Sequence, residues 1–184
     1  MLRFWPLVLA LATQLPQAPV GQPFTAGDDA KEQIAAAIHM AATDDIRVLV
    51  VWGANDDSRS MSYDTARKSP EIARAGFFSD EYKLVQVNVG HLDKNIELAK
   101  SYGAVLTSGT LPAFTVLDDQ GRPVAQSSAA ELAAADGRVD PAKLAGFLKS
   151  HQAPAPDAVA PFEAAVKQAK ASGQYVFLWF SAPW

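Results

Sequence analysis

"IRVLVVWGANDDSRS", residues Ile46–Ser60, decides how this chain is read. Its first seven residues are almost all β-branched or apolar, bounded by Asp44-Asp45 before and Gly53 after. That run predicts a strand buried on both faces, since a strand with one wet face alternates apolar and polar residues. Beyond Asn55 the sequence turns polar, and a helix is expected from Asp57 or Ser58, interrupted at Pro70.

Outward from this strand–helix junction, the other elements follow in order. Upstream, "DDAKEQIAAAIHMAA" carries acid at its start and apolar residues at Ile34, Ala37, Ile38 and Ala41, the spacing of an amphipathic helix. Downstream, "YKLVQVNV" (Tyr82–Val89) reads as a second strand and "DKNIELAKSYG" as a helix closed by Gly103. "AFTVLDDQGRPVAQS" gives two strands about the turn at residues 118–121, and "DPAKLAGFLKSH" a last helix with Pro141 in its first turn and Leu144, Phe147 and Leu148 on one face. The order is αβαβαββα, an α/β chain with a central mixed sheet flanked by helices.

Composition excludes several functions. The 184 residues include 16 Lys and Arg against 20 Asp and Glu, without a basic cluster, so nucleic acid is not an expected partner. There is no cysteine, which removes disulfides, thiolate nucleophiles and Cys-containing zinc sites together. His39, His91 and His151 lie far apart without metal-ligand spacing, so surface or capping roles are expected of them and no metal site. With no P-loop, GxGxxG or Ser-His-Asp pattern, no cofactor is expected either.

Residues 1–23 carry one basic residue, Arg3, an apolar stretch from Phe4 to Ala12, and Ala10 and Ala12 in an A-x-A arrangement. This is the pattern of an export signal, too short to span a bilayer. The mature chain is therefore expected in a periplasm or outside the cell, with no membrane anchor once the leader is removed. A first domain over 24–152 follows, then a Pro/Ala linker over 153–160.

Residues 161–184 repeat the start of that domain. At an offset of 128, Ala36, Ala37, Ala41, Val48 and Ala54 recur as Ala164, Ala165, Ala169, Val176 and Ala182, with Ile38 opposite Val166 and Trp52 opposite Phe180. The tail thus reads as a helix, "FEAAVKQAKASG", then a strand, "YVFLWF", the incomplete start of a second domain. Alone, such a strand exposes an apolar edge that something must cover.

On these residues the chain resembles the thioredoxin-like family. The resemblance rests on "VLVVWGA", "LVQVNV" and "GTLPAFTVLDDQGRPV", the last matching the family's Pro-strand-turn-strand ending, and covers roughly residues 26 to 150. It implies a thioredoxin-like fold and a site where the family carries Cys-x-x-Cys at a helix N-terminus, a position that lowers a thiol's pKa. In the repeat register those two positions are Asp57 and Ser60; a register with a two-residue deletion shifts them by two, and neither register supplies a thiol. Read without the family, Asp57 and Ser60 are helix-capping residues, and no acid, base or oxyanion partner can be named for Asp56 and Asp57. The resemblance also implies that Pro112 is cis, so that Leu111, Pro112 and Ala113 offer an edge for an extended peptide; read alone, Pro112 is a strand-initiating proline.

The expected function is an exported, redox-inactive thioredoxin-like module acting beside a catalytic domain of a larger thiol-disulfide oxidoreductase, with protein or peptide substrates as its partners. Two alternatives stay open. The chain is the truncated front of an active oxidoreductase, stopped for instance at a selenocysteine codon where "WFSAPW" leads into the redox pair, or it is a free-standing peptide-binding or chaperone-like module. Without cysteine, the chain as it stands cannot exchange disulfides.

Overall fold

A computed structural model describes residues 21–24, 29–155 and 158–179. The expected export signal falls almost entirely outside the described residues, as do the last five residues of the tail. No helix among the described residues is long and apolar enough to cross a membrane.

The first element among the described residues is helix α1 (Ala30–Asp44), started by the Asp29 carboxylate, which accepts from the Lys31 and Glu32 N–H groups. It stops at Asp45, whose left-handed backbone (φ 54°) turns its N–H back onto the Ala41 carbonyl. Strand β1 (Arg47–Gly53) follows, with every residue after Arg47 buried. The run is apolar throughout because β1 lies inside the sheet. The order is β2-β1-β3-β4, with β1 parallel to β2 (Tyr82–Asn88) and antiparallel to β3 (Ala113–Leu117). Strand β4 (Pro123–Ser128) closes one edge as the partner of β3.

The two faces of β1 feed two cores. Val48, Val50 and Trp52 meet Ile34, Ala37 and Ala41 of α1, while Leu49 and Val51 meet Tyr63, Ile72, Leu144 and Leu148. Those last four come from α2 (Ser58–Arg67), α3 (Pro70–Arg74) and α5 (Pro141–Ser150). Pro70 ends one helix and begins the next, as its missing N–H allows at a first-turn position, and Ser69 Oγ accepts the Ile72 N–H. In β1, Trp52 is fully buried and its Nε1 donates to Thr115 Oγ1 at 3.0 Å, satisfying both polar groups inside the core.

Three local features depart from the sequence reading. Residues 77–81 form a π-helical turn ahead of β2. Helix α4 (Ile96–Ser101) starts later than "DKNIELAKSYG" suggests: Asp93 accepts the His91 N–H and Asn95 is left-handed (φ 55°), so residues 90–95 form a turn. In the tail, helix α6 (Val159–Ser172) begins inside the expected linker, and no strand forms at the expected "YVFLWF", whose residues 175–179 are described and extend without ladder partners. A strand is stabilised by a neighbour's backbone, and none of the described strands reaches it.

The hairpin between β3 and β4 turns as expected at residues 118–121. Asp118 is buried, and its carboxylate accepts from the Gln120 and Arg122 N–H groups and from Arg122 Nε at 2.7 Å. Burial alone would raise its pKa, but these hydrogen bonds and the Arg122 charge outweigh it and hold the carboxyl below its ordinary range.

Candidate functional site

The C-terminal end of β1 carries the site. Gly53 sits where a side chain has no room: a Cβ there would meet the Phe24 ring at 2.5 Å and Ser60 Oγ at 2.8 Å. Phe24 is fully buried and is fixed by Asn55, whose Oδ1 accepts the Phe24 N–H and whose Nδ2 donates to the Phe24 carbonyl. Residues 54–57 therefore turn tightly before α2 begins.

At the start of α2, the two residues singled out by the repeat register, Asp57 and Ser60, are joined by polar bonds. Asp57 is the N-cap, and its Oδ2 accepts both the Ser60 N–H at 2.7 Å and the Ser60 hydroxyl at 2.8 Å. Ser60 is fully buried, and its Oγ accepts the Ala54 N–H at 3.2 Å. Both side chains are satisfied by the local backbone and by each other. Such an arrangement starts a helix and offers no nucleophile.

Across from α2, the Leu111-Pro112 bond is cis. The side chains of Leu111, Pro112 and Ala113 are buried, and the Pro112 carbonyl accepts the Ala129 N–H at 2.8 Å. Ala113 is already the first residue of β3, opposite Trp52. Leu111 differs from both, because neither its N–H nor its C=O has a partner among the described residues. Of the three residues of the expected edge, Leu111 is the one whose backbone groups are both without a partner among the described residues.

Leu111 lines a cavity of about 290 Å³ with Ala54, Asp56, Asp57, His91, Leu92 and Ser108. Two side chains at or beside it were not legible in the sequence. His91, in the turn after β2, brings Nε2 to 3.1 Å from Asp56 Oδ2. Arg59, between Asp57 and Ser60, donates Nη1 to the Gly109 carbonyl at 2.9 Å and Nη2 to the Ser108 carbonyl at 2.5 Å. It ties α2 to the loop that precedes the cis-proline. No local motif marks either residue; only the crossing of the loops after β1, β2 and α4 brings them together.

The remaining histidines do not join the site. His39 is exposed on α1, and His151 places Nδ1 at 2.8 Å from the Phe147 carbonyl at the end of α5. Behind the site, Tyr63 is fully buried and its hydroxyl has no partner among the described residues, so burial pushes its pKa up.

Solved structures are similar to this chain to differing degrees. The disulphide isomerase from Xylella fastidiosa Temecula1 superposes with a TM-score of 0.60 at 21% identity, covering 72% of this chain and 98% of that one. A thioredoxin from Thermus thermophilus matches at a TM-score of 0.45 and 18% identity over 63% of this chain and 81% of its own. DsbH oxidoreductase matches at 0.39 and 14%, over 76% and 92%. No protein-family model and no curated protein matches the chain. The fold is thioredoxin-like. Within it, this protein carries a helix cap, Asp57 with Ser60, and no cysteine at any of its 184 positions.

Proposed function

We propose that this protein is an exported, redox-inactive thioredoxin-like module that docks extended polypeptide at the Leu111 edge, and that it works beside a catalytic oxidoreductase domain. The observation that carries this reading is the unpartnered N–H and C=O of Leu111 at the rim of a cavity without a thiol. One residue offering both groups can accept an added strand by main-chain hydrogen bonds, which requires no side-chain chemistry. The apolar wall of Ala54, Leu92 and Leu111 and the carboxylates of Asp56 and Asp57 suit a segment of mixed apolar and basic character. Export is supported by the leader-like pattern of residues 1–23.

The test uses a probe that cannot itself exchange disulfides, reduced and carboxymethylated insulin B chain. Titrated into the labelled protein, it is expected to shift the amide resonances of residues 54–57 and 108–111 and to slow hydrogen exchange at Leu111. In a parallel assay, the protein should leave the disulfides of native insulin intact. Shifts confined to other surfaces, or none at millimolar probe, would overturn the docking role.

A further inference from the structure

We infer that Asp56 is the specificity-determining residue of the Leu111 edge: it reads one lysine or arginine side chain of the docked polypeptide, and His91 switches that reading off when protonated. This recognition rests on peptide docking at Leu111 and adds which side chain is selected and under what condition.

The two carboxylates at the cavity are used differently. Asp57 serves the fold, since its Oδ2 holds the Ser60 N–H and hydroxyl at the start of α2. Asp56 caps no helix, and its side chain is 54% exposed. Its one partner among the described residues is His91, itself exposed, whose Nε2 lies 3.1 Å from Asp56 Oδ2. An ion pair between two such solvated groups contributes little to stability, so the fold does not depend on this carboxylate.

What makes Asp56 part of a site is its neighbour across the cavity. Leu111 is only 5% exposed, yet its N–H and C=O have no partner among the described residues. Backbone groups in so enclosed a place call for a partner from outside. Side chains of an extended segment alternate between its two faces, so a segment bonded to Leu111 can send one of them into the adjoining cavity. At about 290 Å³ that cavity falls just below the roughly 300–1,000 Å³ of small-molecule pockets and suits a single side chain. Ala54, Leu92 and Leu111 give a stem of methylenes apolar contact, and Asp56 accepts from the charged end, the division that a long basic side chain requires. An acidic side chain has no cation to meet, because the nearby Arg59 is already held by the Ser108 and Gly109 carbonyls.

His91 ties this reading to pH. A histidine changes charge between pH 8 and pH 5. Neutral, the ring can donate Nε2–H to Asp56 and leave the carboxylate's charge to the ligand; protonated, it neutralises that charge and repels an incoming cation. The charged groups on the elements around His91 are Asp56 and Asp57 before α2, Arg59 on α2, Asp93 and Lys94 in its own turn, and Glu97 on α4, which is paired with Lys100. Residues 105–111 carry none. Among the described residues Asp56 is the carboxylate bonded to the ring, whereas Asp93 accepts the His91 backbone N–H.

The test titrates the labelled 184-residue chain with blocked pentapeptides, acetyl-Ala-Ala-X-Ala-Ala-amide, where X is lysine, norleucine or glutamate, and follows amide shifts at residues 54–57, 90–92 and 108–111. Norleucine keeps the stem and removes the ammonium. At pH 8 the lysine peptide should bind roughly two- to fivefold more tightly than the norleucine peptide, the worth of one exposed ion pair, and the glutamate peptide most weakly. Asp56→Asn should erase the lysine preference while unfolding at the parent's urea midpoint. At pH 5 the preference should vanish in the parent and persist in His91→Gln. Equal affinities for lysine and norleucine at pH 8, or a preference that survives Asp56→Asn, would overturn the role of Asp56 and leave docking standing, since the peptides would still shift residues 108–111. A preference that survives pH 5 in the parent, or is lost there in His91→Gln as well, would overturn the role of His91. No shift from any of the peptides at millimolar concentration would overturn docking and the recognition together.

Discussion

Replacing Asp57 with alanine separates a structural site from a chemical one. Asp57 Oδ2 accepts two hydrogen bonds from Ser60, at 2.7 and 2.8 Å. Losing an N-cap acid costs about 1 kcal/mol, within a range of roughly 0.5–2. The Ser60 hydroxyl, fully buried, loses its acceptor at the same time, which adds about 1 kcal/mol. The sum of about 2 kcal/mol corresponds to a fall in Tm of roughly 5–8 °C for a chain of this size. Urea unfolding followed by circular dichroism at 222 nm measures it directly. Asp57→Asn keeps an acceptor oxygen and should lose less than half as much. Ser60→Ala breaks the same two-residue unit from the other side, so the double variant Asp57→Ala/Ser60→Ala should be more stable than the sum of the single losses predicts, by about 1 kcal/mol. A polar pair retained for chemistry at the expense of stability behaves in the opposite way, because removing it strengthens the fold. An unchanged or raised stability in Asp57→Ala, or strict additivity with Ser60→Ala, would refute the capping argument.

Other consequences are open to simpler tests. Gly53→Val should destabilise the protein by at least 2 kcal/mol in the same urea assay, since its Cβ meets the Phe24 ring and Ser60 Oγ well inside contact distance. Trp52→Phe should lose about 1 kcal/mol with the Thr115 hydrogen bond, and Trp52→Phe/Thr115→Val should recover part of it, because no buried hydroxyl is then left unpaired. Asp118 has a folded pKa below its unfolded value, so its contribution is complete above about pH 4 and fades as the pH falls through the lowered folded value; Asp118→Asn should flatten the acid side of the stability profile. Tyr63 and Tyr82 shift the other way through burial, so stability should decline as pH rises above about 10, and ultraviolet titration should show both phenols ionising only on unfolding.

The sequence was most informative where burial dictates composition. Residues 48–52 could only be an inner strand, and the αβαβαββα order follows from runs of apolar residues separated by caps and turns, such as Pro141 and the 118–121 hairpin. The boundaries it misplaced lie where backbone conformation outranks pattern. Asn95, left-handed, delays α4, and the π-helical turn at residues 77–81 has no periodicity of its own. In the site, Asp57 and Ser60 were visible as a helix start, but their bond to each other was not, because spacing alone does not fix a rotamer. Arg59 and His91 stayed hidden for a different reason: each meets its partner across loops 35 to 50 residues apart in the chain. The tail strand failed for want of neighbours, since its apolar pattern is sound and its ladder is missing.

The same features hold together the turn from β1 into α2. A thiol pair at this helix would leave the first turn of α2 to be capped by sulfur, a weak acceptor. Asp57 supplies a full carboxylate there instead, and Ser60 returns one bond to it and accepts another from Ala54, so three backbone or side-chain donors are satisfied by two residues. Arg59 extends this fixation to the opposite wall by holding the Ser108 and Gly109 carbonyls. Hydrogen bonds thus lock the start of α2 and the facing loop, and beside them the backbone N–H and C=O of Leu111 have no partner among the described residues. Releasing the wall with Arg59→Ala should therefore speed hydrogen exchange across residues 107–111 several-fold while lowering global stability by no more than about 1 kcal/mol, since the guanidinium bonds are at the surface. If exchange there stays as slow as in the parent, the loop is held by its own Thr107–Thr110 bonds, and Arg59 has no part in shaping the groove.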